Sequence, residues 1–183
     1  GTTYPMQYPF IVLATQNPIE QEGTYRLPEA QLDRFIFKII INYPSLQEEV
    51  SILMSQQGKQ QAELLLTVDT ILSAADIQHY RSIVQNINIE TKIIEYIAGI
   101  INETRNNPSL YLGASTRASL ALLKAAKATA ALRGRDFVIP EDVIEMAPPV
   151  LRHRIMLTPE KEMEGITPDD LIENIIKTVE LPR

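Results

Sequence analysis

The hydrophobic pattern of this chain changes period once, between Asn42 and Ser45, and the folds open to it follow from that break. Upstream, Phe10 to Thr15 (FIVLAT) and, apart from Lys38, Phe35 to Ile41 (FIFKIII) are apolar on both faces, as in strands of a parallel sheet covered on both sides. Downstream the spacing is helical. Ser45 and Glu48 form a capping box ahead of Leu46, Val50, Leu53 and Met54, and Gly58 stops that helix. A second helix starts at Ser73 and Asp76 and carries Ile77, Tyr80 and Val84. A third runs from about Glu90 to Thr104 with Ile93, Ile94, Ile97, Ile100 and Ile101 on one face. A fourth, Ala-rich, runs from Ser115 to Gly134, and a fifth starts at Pro140 and is expected to break or restart at Pro148-Pro149. The last opens at Thr167-Pro168 and carries Leu171, Ile172, Ile175, Ile176 and Val179; residues 63 to 69 read as extended or loop. The expectation is a mainly α chain: residues 1–43 as a two-strand remnant of a parallel α/β core, then residues 44–183 as an all-helical domain.

Composition narrows the function. With no Cys, a disulfide framework and thiolate metal sites are excluded, and His79 and His153 have no ligand spacing, so no metal site is expected. A net charge of -6 opposes a broad nucleic-acid surface, and Lys124, Lys127, Arg133 and Arg135 cluster only mildly. No apolar run approaches the roughly 20 residues that span a bilayer, and the N-terminus lacks the regions of a signal peptide. The expectation is a cytoplasmic chain that neither inserts in a membrane nor binds nucleic acid.

Residues 11 to 35, IVLATQNPIEQEGTYRLPEAQLDRF, hold the first site candidates. Asn17 follows an apolar strand and precedes Pro, at the strand's carboxyl end, where open α/β sheets place ligands. Its amide can bind a phosphate oxygen or orient a water; the plainer role is to cap a turn. Arg34 either pairs with Asp33 or Glu29 on a surface or, held by Leu32 and Phe35, is offered to an anion on another molecule. Arg117, in the first turn of the fourth helix, either sits beside a Ser115 cap or meets an anion favoured by the helix dipole.

Together these segments resemble the second half of an AAA+ ATPase of the MoxR family. The likeness runs from about Phe10 to Leu157 and is strongest in ATQNPIEQEGTYRLPEAQLDRF and GASTRASLALLKAAKATAALRGRDFVIPEDVIEMAPPVLRHRI. It implies that Asn17 is the sensor 1 residue, Arg34 the arginine finger acting in trans on the neighbouring subunit's site, and Arg117 the sensor 2 arginine, in contact with the nucleotide phosphate, of a helical lid. It further implies ATP and Mg2+ as cofactors of the intact protein, a homo-oligomeric, hexameric ring, chaperone-like remodelling or maturation of client proteins, and partners with von Willebrand factor A domains.

The departures set what these residues can do alone. None of the seven glycines belongs to a G-x-x-x-x-G-K-[ST] motif, and no acidic pair ends a strand in the Walker B manner. The chain alone is therefore expected neither to hydrolyse ATP nor to hold it tightly, and to be an excised piece. Arg26 stands where the family usually has Pro and adds a second cation near the finger; Thr116 replaces a frequent Pro. In the AAA+ sheet, the two strands flank the P-loop strand without touching each other, so open edges and a rearranged or self-associating N-terminal part are expected. Two other classes compete: a non-enzymatic helical adaptor, and a DNA-directed ATPase, which the acidic balance opposes. His79 is read as a surface residue and His153 as an interdomain polar contact.

Overall fold

The computed structural model describes residues 2–6, 8–16, 27–57 and 69–182. It divides into two compact units, one of residues 1–10 and 39–79, the other of residues 11–38 and 80–183.

In the first unit, α2 (Leu46–Gln56) begins at the expected box: the Ser45 hydroxyl accepts from the Glu48 N–H, and the Glu48 carboxylate accepts from the Ser45 N–H at 2.8 Å. None of its residues is buried, Leu46, Val50, Leu53 and Met54 included. Helix α3 (Ala74–Asn86), whose residues from Tyr80 onward belong to the second unit, starts at Ser73, whose N–H donates to Asp76 at 2.8 Å. Most of the stretch 63–69 lies outside the described residues.

In the second unit, a short α1 (Glu29–Leu32) is followed by α4 (Thr91–Asn106), β1 (Leu110–Leu112), α5 (Thr116–Leu132), α6 (Pro140–Leu151), β2 (Met156–Leu157), α7 (Pro159–Met163) and α8 (Pro168–Thr178). The core is the apolar stripe of each long helix: Ile93, Ile97, Ile100 and Ile101 of α4; Ala118, Leu122 and Ala126 of α5; Val143, Ala147, Val150 and Leu151 of α6; Leu171, Ile172 and Ile175 of α8. Helix α5 packs chiefly on α6 through alanines, which allow close approach. It ends in a Schellman motif at Gly134 (φ 70°): Arg135 N–H bonds Ala130 O at 3.0 Å and Gly134 N–H bonds Ala131 O at 2.9 Å.

The mainly α architecture is as the periodicity predicts, with four differences. Among the described residues, Phe10 to Thr15 and Phe35 to Ile41 form no strand, and Ile11, Val12, Leu13, Ile39, Ile40 and Ile41 are exposed. A strand is defined by its ladder partner, and these segments have none here. The region beyond Ser45 is not all helical, because β1 pairs antiparallel with β2, Leu110 opposite Leu157. Helix α6 runs through Pro148-Pro149 to Leu151. The carbonyls of partly buried Ile144 and exposed Glu145 lose their N–H donors, while buried Val143, Ala147, Val150 and Leu151 hold the helix down. Ile94, assigned to the buried face of α4 by spacing, is 43% exposed.

Candidate functional site

The end of α4 fixes the start of α5. Buried Thr104 accepts from the Ala114 N–H at 3.0 Å through its hydroxyl, and Arg105 Nε donates to Ala114 O at 2.8 Å. Gly113 lies so close that a Cβ there would stand 2.5 Å from Thr104 O. The loop thus pinned delivers Ser115 as N-cap of α5, its hydroxyl accepting from the Arg117 N–H at 3.2 Å. Arg117 is consequently set in the first turn, with 57% of its side chain exposed.

Arg117 meets Asp33, the residue that ends α1. Nη1 of Arg117 is 3.2 Å from Asp33 Oδ2, and the Ser115 hydroxyl donates to the same oxygen at 2.9 Å. The other carboxylate oxygen, Oδ1, accepts from Arg154 Nε at 3.0 Å. Burial pushes the Asp33 carboxyl up; the bonds from Ser115, Arg117 and Arg154, with Arg154's charge, outweigh it and hold the group below its ordinary value.

Arg154 follows α6 and only 2% of its side chain is exposed. Beyond Asp33 Oδ1, its Nη2 donates to Asp33 O at 3.0 Å and to Phe35 O, and its Nη1 donates to Ile36 O at 3.1 Å and to Val150 O. Burial lowers its proton affinity and Asp33 partly restores it; a guanidinium remains charged regardless. Its two neighbours address the same backbone. His153 Nε2 lies 3.1 Å from Phe35 O, and Arg152 Nη1 donates to Lys38 O at 3.2 Å. The Lys38 N–H in turn donates to Pro149 O at 2.9 Å. Because a carbonyl only accepts, His153 carries its proton on Nε2, and buried Nδ1 has no partner among the described residues. Burial lowers the pKa of His153, and the charges of Arg154 and Lys38 add to this, against the Phe35 bond and Asp33.

Arg34 stands amid this scaffold as an exception. It is exposed, its N–H bonds Gln31 O at 3.2 Å, and its guanidinium makes no ion pair with any described residue, Asp33 and Glu29 included. Asn17 and Arg26 lie outside the described residues. Arg117 and the Arg34 backbone are thus brought together through Asp33. The sequence reading missed Asp33, Arg152 and Arg154 as site residues. A cation four residues after Val150 and directly before Ile155, in a run otherwise destined for the core, was the available signal that a buried guanidinium needs a carboxylate.

Among the described residues, no group of three His, Cys, Asp or Glu side chains could hold a metal, and no helix is long and apolar enough to cross a membrane. Arg117 suits an anionic group, since Asp33 is its one described side-chain partner and most of the guanidinium is exposed.

Known proteins share this arrangement of segments. Residues 1–37 match the model of the ATPase family associated with various cellular activities (AAA), and residues 102–175 match the AAA lid domain. Over its whole length the chain is 45% identical to "Uncharacterized protein YeaC" of Bacillus subtilis, covering 56% of it, and 42% identical to "Chaperone MoxR1" of Mycobacterium tuberculosis, covering 50% of it. It spans about half the length of these relatives. A crystal structure described as "a putative ATPase" from Cytophaga hutchinsonii superposes on all of the chain with a TM-score of 0.86 at 39% identity, the chain covering 57% of it.

Proposed function

We propose that this chain, which belongs to the MoxR family of AAA+ ATPases, is the finger-and-lid portion of a protein that hydrolyses ATP in a ring and couples hydrolysis to chaperone-like remodelling of client proteins. Residues 1–43 complete the nucleotide-binding core and residues 44–183 form the lid. The assembly is a homo-oligomer, a hexamer by family likeness, in the cytoplasm, with von Willebrand factor A domain proteins as partners.

The observation that carries this reading is the state of Arg34: exposed and unpaired among the described residues, while the residues on either side of it are tied down. A surface arginine kept for stability would take the adjacent carboxylate, yet Asp33 is given to Arg117 and Arg154. A cation left free on a fixed backbone suits charge stabilisation at a neighbour's phosphoryl group, where fingers contribute about 10³ to 10⁵ in rate. Arg117 holds a phosphate oxygen and so ties the lid to nucleotide, and Asn17 orients the attacking water. Bound Mg-ATP supplies the transferable phosphoryl group and the metal charge that neutralises it. The chain alone, without a phosphate-cradling loop, hydrolyses no ATP.

The test is ATP hydrolysis by the intact protein in mixtures of wild type and Arg34→Ala at constant total concentration. Activity that falls faster than dilution, with Arg34→Ala alone assembled but inactive, supports a finger acting in trans. An intact protein that neither binds nor hydrolyses ATP overturns the reading in favour of a helical adaptor.

A further inference from the structure

We infer that Arg154 is the positioning residue for Arg34, an inference that rests on the finger reading above. Arg34 contributes little to its own placement: one N–H to Gln31 and no side-chain hydrogen bond or ion pair with a described residue. The backbone on both sides of it is held from elsewhere. Arg154 bonds the carbonyl of residue 33, immediately before Arg34, and those of residues 35 and 36, immediately after it, and it also bonds the Asp33 carboxylate.

The chemistry demands arginine. Bonds to three carbonyls and a carboxylate of one turn, plus one to Val150 O, use all three nitrogens of a planar fork. An ammonium offers three donors from a single point. The fork is almost fully buried, so water does not substitute for these bonds. Val150 belongs to α6, so the turn that presents Arg34 is fastened to the helical core as well as to its own short helix. His153 on Phe35 O and Arg152 on Lys38 O extend the hold along the same strip of backbone. Arg154 does not itself reach the reacting atoms; it fixes the direction from which Arg34 does.

The experiment compares Arg154→Lys, Arg34→Ala and the double variant in the intact protein, measuring kcat and KM for ATP together with the assembly state. Displacement of a catalytic group by about 1 Å costs roughly 10²-fold, so Arg154→Lys is expected to lower kcat by about that factor with KM and assembly unchanged. The double variant is expected to be no slower than Arg34→Ala, because a residue that acts only through Arg34 has nothing left to act on. Should the lysine variant not assemble, Arg154→Gln, which keeps an amide donor without burying an ammonium, is read by the same criteria. Full kcat in an assembled Arg154 variant, beside an inactive Arg34→Ala, overturns the positioning role and leaves the finger standing. A double variant slower by the product of the two effects also overturns it. Full activity of Arg34→Ala removes both.

Discussion

Arg154 Nε and Asp33 Oδ1 meet at 3.0 Å across 121 residues of sequence, with 2% and 15% of the two side chains exposed. The same carboxylate reaches Arg117, of which 57% is exposed, so one anion serves a buried cation and an open one.

That asymmetry predicts unequal stability effects. Asp33→Ala strands a buried guanidinium and is expected to cost about 3 to 5 kcal/mol. Arg117→Ala removes an exposed partner and should cost less than about 1 kcal/mol. Urea unfolding of the two variants, followed by circular dichroism, checks the difference.

Acid should weaken the fold in two stages. His153 has a folded pKa below its ordinary 6.5, so the unfolded chain takes up the proton first as pH falls. Its contribution is complete above about pH 6.5 and is lost as pH drops through the lowered folded value. Asp33 and Asp142 both lie below their ordinary 3.8. For Asp142, burial pushes up and Arg135, the Ile139 N–H and Arg133 outweigh it. Their contribution is complete above about pH 3.8 and is lost below it. Urea midpoints from pH 8 to 3 should show both stages, and His153→Gln should remove the first alone.

Gly113→Ala should destabilise by about 1 to 3 kcal/mol, the cost of overpacking. Its Cβ would meet Thr104 O at 2.5 Å and Arg105 Cα at 2.7 Å, both backbone atoms that cannot turn aside. A thermal melt unchanged from wild type would contradict this.

Ser115→Ala removes the N-cap of α5 and one bond to Asp33. About 1 kcal/mol should be lost for the cap. In the intact protein the variant should also loosen Arg117, raising KM for ATP by several-fold while Arg34-dependent kcat is kept.

Local chemistry was legible in the sequence and distant chemistry was not. Ser45 with Glu48, Ser73 with Asp76, and Thr167 with Asp170 name their helix starts within four residues, and each is found as a cap. The pairing of β1 with β2 joins segments more than forty residues apart, through strands of three and two residues, too short to show alternation. Asp33 next to Arg34 invited a local pair, but its partners lie 82, 84 and 121 residues away. The apolar runs at 10–15 and 35–41 carry the composition of strands, yet composition provides no neighbour to pair with.

The alanine seam of α5 has a mechanical meaning. Ala118, Ala121, Ala125, Ala126 and Ala130 seat its 17 residues against the core with almost no space between. A rod of that length, roughly 25 Å at the helical rise, cannot bend within so tight a groove. Any tilt imposed on its first turn, where Arg117 sits, arrives undiminished at its last. There Arg133 and Arg135 grip the fully enclosed carboxylate of Asp142. Within this unit the two ends of α5 are thereby coupled, Asp33 at one and Asp142 at the other.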